Sequence, residues 1–153
     1  MQLDAILCNH AEAVNNQLYV SGGGIELAQA PAGATPPLAV TLGIGMVVTV
    51  GWAQTNEPHQ VEIELLTEDG VPVDVPTGPG IYQPFKVQMS FNVGRPPVLA
   101  VGDDQHVCLA ANFPGLPLPV FGKYEFIVRV DGNVERTLPY RVVAAAAQGT
   151  VST

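Results

Sequence analysis

Residues 38–50 read LAVTLGIGMVVTV, the longest apolar run of the chain, and this run decides the fold class. Every second residue from Leu38 to Val50 is large and apolar, and Ala, Thr, Gly and Val stand between them. A period of two places alternate side chains on opposite faces of an extended strand, whereas a helix repeats every 3.6 residues. The run is too short for a membrane-spanning helix, which needs about 20 apolar residues. It therefore predicts a long central β-strand.

Three further segments, residues 61–65, 85–93 and 124–130, alternate between apolar and polar positions in the same way. In the first of them Glu62 and Glu64 take the polar positions, which is typical of a strand with one face in solvent. No segment repeats its apolar residues with the helical period. The pattern predicts an all-β protein, because strands do not alternate with helices.

Turn sequences separate the predicted strands. VNNQ (14–17) is predicted to join the first two strands, and VDGN (130–133) the last two, because Asn and Gly accept the left-handed backbone of tight hairpin turns. Prolines lie outside the alternating runs, at 36–37, 76–84, 96–97 and 114–119. This pattern favours a two-sheet antiparallel β-sandwich of about eight strands, immunoglobulin-like or C2-like, with Greek-key connections.

The length of 153 residues fits one ordinary domain that can bury a sizeable core without disulfides or metal. We predict a single β-sandwich domain over residues 1–145. The remaining residues, 146–153, are predicted to form a C-terminal tail that is flexible or ordered by a partner.

The charge of the chain excludes some classes of partner. There are 14 acidic and 6 basic residues, a net charge of −8, so nucleic acid and anionic membrane surfaces are disfavoured. Only 13% of residues are charged, and a surface so poor in charge tends to associate. We therefore expect a protein partner or self-association and no membrane insertion. The N-terminus lacks the features of a secretion signal, which predicts a cytoplasmic protein with reduced cysteines.

Two Cys/His pairs form the candidate metal site. Cys8 and His10 are two residues apart, as are His106 and Cys108, so each pair points to one face of its strand. If the two strands were neighbours, the four side chains would complete a tetrahedral zinc site of two thiolates and two imidazoles. Single-residue spacing is not typical of structural zinc sites, and buried thiols with incidental histidines are the alternative. We predict no cofactor.

Two proline-rich segments are the candidate interface. NFPGLPLPVFGKYEF (112–126) is expected to leave a strand after Phe113 and continue as a rigid extended segment. NVGRPPVLAVG (92–102) is the second segment, with Arg95 as a polar anchor, and Trp52 is a candidate hot spot. The apolar side chains either meet a partner or pack over the end of the sandwich. The first segment offers Phe113, Leu116, Leu118, Val120 and Phe121.

Motifs for catalysis are absent from the sequence. No G-x-S-x-G, H-E-x-x-H or G-x-G-x-x-G occurs, so we predict that the protein is not an enzyme. An enzyme or calcium site among the loop carboxylates of TEDG (67–70) and GDDQ (102–105) is a weaker alternative, because nothing indicates that these loops meet.

Two long stretches carry a resemblance to a known family. CNHAEAVNNQLYVSGGGIE (8–26) and FNVGRPPVLAVGDDQHVCLAANFPGLPLPVFGKYEF (91–126) resemble a family of small all-β bacterial proteins of unknown function, common in actinobacteria. The resemblance implies a stand-alone cytoplasmic domain and transfers no catalytic residue or cofactor. The main hypothesis is a non-catalytic β-sandwich that acts through protein–protein contacts, as a homo-oligomer or as an accessory subunit. The alternative is a metal- or small-ligand-binding β-sandwich that uses the Cys/His cluster.

Overall fold

The computed structural model describes residues 1–145, and these residues form an all-β structure of twelve strands in four sheets. The predicted tail, 146–153, lies outside the described residues. In chain order the strands are β1 (Gln2–Cys8), β2 (His10–Val14), β3 (Gln17–Ser21), β4 (Leu27–Gln29), β5 (Leu38–Val50), β6 (His59–Thr67), β7 (Asp74–Gly78), β8 (Ile81–Pro84), β9 (Lys86–Phe91), β10 (Gln105–Leu118), β11 (Gly122–Val130) and β12 (Asn133–Val143).

The apolar run that decided the fold class is β5, the middle strand of a three-stranded sheet with the order β1-β5-β10. Both neighbours are antiparallel to it. Ile44, Met46, Val48 and Val50 on its inner face are fully buried. The prediction of a central strand over 38–50 is confirmed, because the period-two pattern came from a strand that is buried between two partners.

A five-stranded sheet with the order β4-β12-β11-β6-β9 curls into a half-barrel. Its pairs are antiparallel except β4 with β12, which are parallel. One hydrophobic core joins the inner faces of this sheet and of β1-β5-β10. Residues 1–145 form twelve strands, not about eight, because β2 with β3 and β7 with β8 form two additional small sheets. The all-β prediction is confirmed, while a two-sheet immunoglobulin-like sandwich stays a prediction.

Both predicted hairpin turns are confirmed. Val14 pairs with Gln17 across Asn15 and Asn16, whose φ angles are 51° and 55°. Val130 pairs with Asn133 across Asp131 (φ 50°) and Gly132 (φ 85°). Positive φ at both central residues is the geometry of a two-residue turn whose twist matches the strands it joins.

The β2–β3 hairpin covers the outer face of the central sheet at two glycines of β5. A Cβ at Gly45 would lie only 3.0 Å from Val20 and 3.2 Å from Leu18 of the hairpin. A Cβ at Gly43 would lie 2.5 Å from the side-chain oxygen of Asn112. That amide donates from Nδ2 to the carbonyl of Ala11 (2.9 Å) and accepts from its N–H (3.0 Å). The small residues on the second face of β5 therefore make room for a hairpin and for the amide that fixes it.

The proline-rich segment after Phe113 is the second half of β10, not a crossing loop. The register with β5 shifts between Phe113 and Leu116, and pairing then continues to Leu118. Gly115 has a φ of 65° within this irregularity, and its N–H donates to Thr41 Oγ1 (3.3 Å). The expectation that the strand ends at Phe113 is wrong, because a bulge absorbs residues that fit the ladder poorly and lets the strand continue.

Candidate functional site

The strand order separates the two Cys/His pairs of the candidate metal site. β1 and β10 pair with opposite edges of β5, so β5 lies between them. Cys8 is opposite Gly43 and Cys108 is opposite Val47, which places the thiols at different levels along β5. The zinc hypothesis required these two strands to be neighbours, and they are not. Within residues 1–145, no three His, Cys, Asp or Glu side chains form a group that could hold a metal ion.

The two members of the first pair, Cys8 and His10, have different local environments. Cys8 is buried, and burial raises the pKa of its thiol although backbone hydrogen bonds from Gly45 and His10 oppose the shift. The ring of His10 lies 3.1 Å from a carboxylate oxygen of Glu12 at the surface. The packing alternative therefore describes Cys8, and His10 makes a surface contact.

The predicted interface residues Trp52 and Arg95 do come together. A short 3-10 turn (Trp52–Gln54) follows β5, and the Arg95 guanidinium lies 4.3 Å from the centre of the Trp52 ring. Arg95 also donates from Nε to Thr55 Oγ1 (2.6 Å) and from Nη2 to the Trp52 carbonyl (2.7 Å). Stacking on an aromatic face and a fork of donors are the two properties that distinguish Arg from Lys. Arg95 thus anchors its loop to this turn, while its role as a polar anchor for a partner stays a prediction.

The loop that contains Arg95, residues 94–103, is held by two further hydrogen bonds. Gln105 donates from Nε2 to the Gly94 carbonyl (2.6 Å), and Asp103 accepts from the N–H of Ala100 (2.8 Å). The loop presents Val98 and Val101 at its surface, with 90% and 86% of their area exposed. These two valines are almost fully exposed on a loop that hydrogen bonds hold in place, and they form the clearest candidate contact surface. We call this segment the 94–103 loop.

A buried histidine connects the Trp52 turn to the β11–β12 turn. The side chain of His59 is only 4% exposed, and its Nδ1 lies 2.7 Å from Asp131 Oδ2. Its Nε2 lies 2.6 Å from the carbonyl of Gln54, in the same turn as Trp52. Asp131 Oδ1 also accepts from the N–H of Gln60 (2.9 Å). Both ring nitrogens are therefore engaged by the protein, and none is left for a metal or a substrate.

The two partners of His59 are both hydrogen-bond acceptors, which favours the doubly protonated ring. Burial lowers the pKa of His59, but the hydrogen bonds to the Gln54 carbonyl and the Asp131 carboxylate outweigh burial, so the pKa lies above its usual 6.5. Sequence reasoning missed this pair, since His59 and Asp131 are 72 positions apart. Asp131 was identified only as a turn residue, and no local signal connects it to His59.

The remaining predicted interface residues divide between core and surface. Val120 is exposed and Phe121 is half-buried. The other three are buried in the core and offer nothing to a partner, which corrects their assignment to an interface. They are Phe113, Leu116 and Leu118.

The core position of these residues follows from the strand continuing along β5. The ring of Phe113 stacks on Phe126 at 6.0 Å and meets Phe85 edge-to-face at 5.1 Å. Aromatic packing of this kind fixes the second half of β10 against the five-stranded sheet.

None of the helical turns in residues 1–145 is long and apolar enough to cross a membrane.

Comparison with known proteins gives the chain a family. No curated protein and no solved structure matches it. The model of one protein family matches residues 3–143, nearly the whole chain. The resemblance seen in the sequence to a family of unknown function is confirmed at this level, while an actinobacterial distribution stays a prediction. The chain belongs to DUF6941, a family of unknown function.

Proposed function

We propose that this protein is a non-catalytic domain that works through protein–protein contacts, as a homo-oligomer or as an accessory subunit of a larger assembly. The finer description of its fold as an immunoglobulin-like sandwich is part of the same proposal, supported by the single core that the two main sheets share. A cytoplasmic location is likewise proposed, because Cys8 and Cys108 are both free thiols, as is usual in a reducing compartment.

The 94–103 loop is the observation that carries this proposal. Burying a valine side chain contributes roughly 1.5–3 kcal/mol, so an exposed pair is a substantial apolar surface. Arg95 on Trp52 and the Asp103–Ala100 hydrogen bond hold this loop in place before any partner binds. A contact made by a preordered loop loses less conformational entropy on binding than one made by a mobile loop.

The test removes the two exposed valine side chains and leaves the contacts of Arg95 and Asp103 that hold the loop in place. We expect the full-length protein to run above the mass of one chain in light scattering, or to retain a stoichiometric partner when purified from its native host. Val98→Ser combined with Val101→Ser should abolish that association without changing the unfolding midpoint.

The matched control is Val134→Ser, which alters another exposed valine in β12 and should leave the association unchanged. A wild-type protein that is strictly monomeric and recovers no partner contradicts the proposal. If association survives the double substitution, the 94–103 loop is not the surface through which the protein associates.

A further inference from the structure

A groove of about 520 Å³ lies between β4 and the first half of β5. Its walls include residues 27–31 on one side and residues 38–42 on the other, and Tyr140 and Val142 of β12 contribute to its lining. Its volume is within the range of about 300–1,000 Å³ that is typical of ligand sites.

Among residues 1–145, both walls of this groove are unpaired strand edges. β1 pairs with β5 only as far as Gly43, so residues 38–42 have β10 on one edge and no other described strand on the opposite edge. Of the described strands, β4 pairs with β12 alone. Successive side chains of a strand point to opposite faces, so a groove lined by five consecutive residues must run along the main-chain edge. Half of the N–H and C=O groups of residues 38–42 point away from β10, because a strand's backbone groups alternate between its edges.

The lining of the groove is uncharged. Its polar side chains are amides and hydroxyls, and the rest of its lining is apolar: the polar members are Asn9, Gln29, Thr35, Thr41 and Tyr140. In a chain with a net charge of −8, a groove without any charged side chain favours an uncharged occupant.

Tyr140 contributes a phenol hydroxyl to the lining of the groove. The residue as a whole is only 3% exposed. Tyr140 and Val142 share the inward face of β12, which is the face that lines the groove. A phenol hydroxyl can both donate and accept a hydrogen bond, so an occupant of the groove that bonds to it gains specificity.

We propose that this groove binds an extended, uncharged peptide segment of a partner protein, which adds as a strand to the free edge of residues 38–42. Main-chain hydrogen bonds supply the affinity in this mode of recognition, and alternate side chains supply the specificity. Five residues of β5 span roughly 16 Å, so the bound segment has about five residues. The inference deepens the proposed function and rests on it, but it uses a surface separate from the 94–103 loop.

The test selects a peptide and then examines its backbone. Random heptapeptides displayed on phage are selected against the full-length protein, and the enriched sequences are synthesised with a fluorescein label and titrated by fluorescence anisotropy. We expect uncharged sequences rich in β-branched residues. Methylating the peptide's backbone nitrogens one at a time should abolish binding at every second position, because only alternate N–H groups of an added strand face the edge.

Two substitutions and their controls place the peptide in the groove. Ala39→Arg puts a charge on the wall and should weaken binding about tenfold or more, while Ala13→Arg, at an exposed alanine of β2, should not change it. Tyr140→Phe removes only the hydroxyl and should weaken binding about two- to tenfold, and the exposed Tyr19 serves as its control when changed to Phe.

Three outcomes would overturn the inference. They are failure to enrich any peptide, binding that ignores Ala39→Arg, and N-methyl effects without alternation. A dimer of the protein that Ala39→Arg dissociates would assign the groove to a second copy instead of a partner. Failure of the groove is distinguishable from failure of the proposed function, because Val98→Ser with Val101→Ser should change the association measured by light scattering and leave peptide affinity unchanged.

Discussion

Replacing Asp131 by Asn tests the charge on the buried histidine with little change in shape. The side-chain oxygen that accepts from the N–H of Gln60 remains in Asn, and Asn tolerates the φ of 50° at this position. What changes is the atom 2.7 Å from Nδ1 of His59, which becomes an amide nitrogen instead of a carboxylate oxygen. The amide can donate to a neutral ring, and the ring can still donate from Nε2 to Gln54.

The sign of the effect follows from the two pKa shifts. In the wild type, burial opposes the charge on His59 but the Gln54 carbonyl and the Asp131 carboxylate outweigh it, so the folded pKa is raised. A raised pKa stabilises the fold fully below the unfolded value of about 6.5, and this stabilisation is lost as pH rises through the folded pKa. For Asp131, burial raises the pKa but the Gln60 N–H and His59 outweigh it, so the folded pKa is lowered. Its contribution is present above an unfolded value of about 3.9 and is lost on acidification. The His59–Asp131 pair therefore makes its full contribution to the stability of the fold between about pH 5 and 6.5.

The size of the effect follows from burial. A hydrogen bond to a charged group contributes about 1.5–3 kcal/mol. The His59 side chain is 4% exposed, but that of Asp131 is 41% exposed and is screened by water, which places the expected loss at about 1–2 kcal/mol. Above the folded pKa of His59, the neutral ring of the wild type has one donor for two acceptors, so its advantage over the variant shrinks.

The free energy of unfolding of the wild type and of Asp131→Asn is measured at each pH from 5.5 to 9 by urea titration. The fluorescence of Trp52, the single tryptophan, follows the transition. We expect wild-type stability to fall across this range and Asp131→Asn to stay nearly flat. The matched control is Asp69→Asn in an exposed turn, which should follow the wild type. Parallel curves for the wild type and Asp131→Asn would refute a charged His59.

Three further substitutions test the packing. Phe113→Ala should lower the free energy of unfolding by about 3–5 kcal/mol, measured by urea titration, because it empties a buried aromatic site. Asn112→Ala removes both hydrogen bonds to Ala11 and should cost about 1–3 kcal/mol, with faster hydrogen exchange at the Ala11 amide. Arg95→Ala releases the 94–103 loop from Trp52, so thermolysin should cleave within that loop faster than in the wild type.

The sequence predicted those parts of the fold that depend on local patterns. The alternation of 38–50 identified the central strand because every second side chain of β5 faces one core. The Asn15–Asn16 and Asp131–Gly132 turns were predictable because only residues that tolerate positive φ suit two-residue hairpins. These signals are local, and the structure confirms them.

What the sequence could not show depends on which distant strands meet. The contact between His59 and Asp131 could not be predicted from their spacing in the sequence, because it arises only when β6 and β11 pair. Whether the Cys8/His10 and His106/Cys108 pairs could meet depended on the order of their strands. β5 lies between β1 and β10, so the two pairs are on strands that are not neighbours. Proline at 114 and 117 indicated the end of a strand, but proline is excluded only from interior strands, and β10 is an edge strand.

The prolines of β10 bear on the open groove as well. An edge strand exposes unpaired donors to other chains, and proteins usually blunt such edges with prolines, charges or covering groups. At its first half, β10 is covered by Asn16, which donates to the His106 carbonyl (2.7 Å) and accepts from the Cys108 N–H (2.8 Å). At its second half, Pro114 and Pro117 remove two N–H donors. The edge of β5 at residues 38–42 has no proline within it, and no side-chain amide of residues 1–145 bonds to it, although it belongs to the same sheet. An edge left open beside one that is blunted along its length is where an added strand meets the least competition, and this contrast is why we assign the partner peptide to β5.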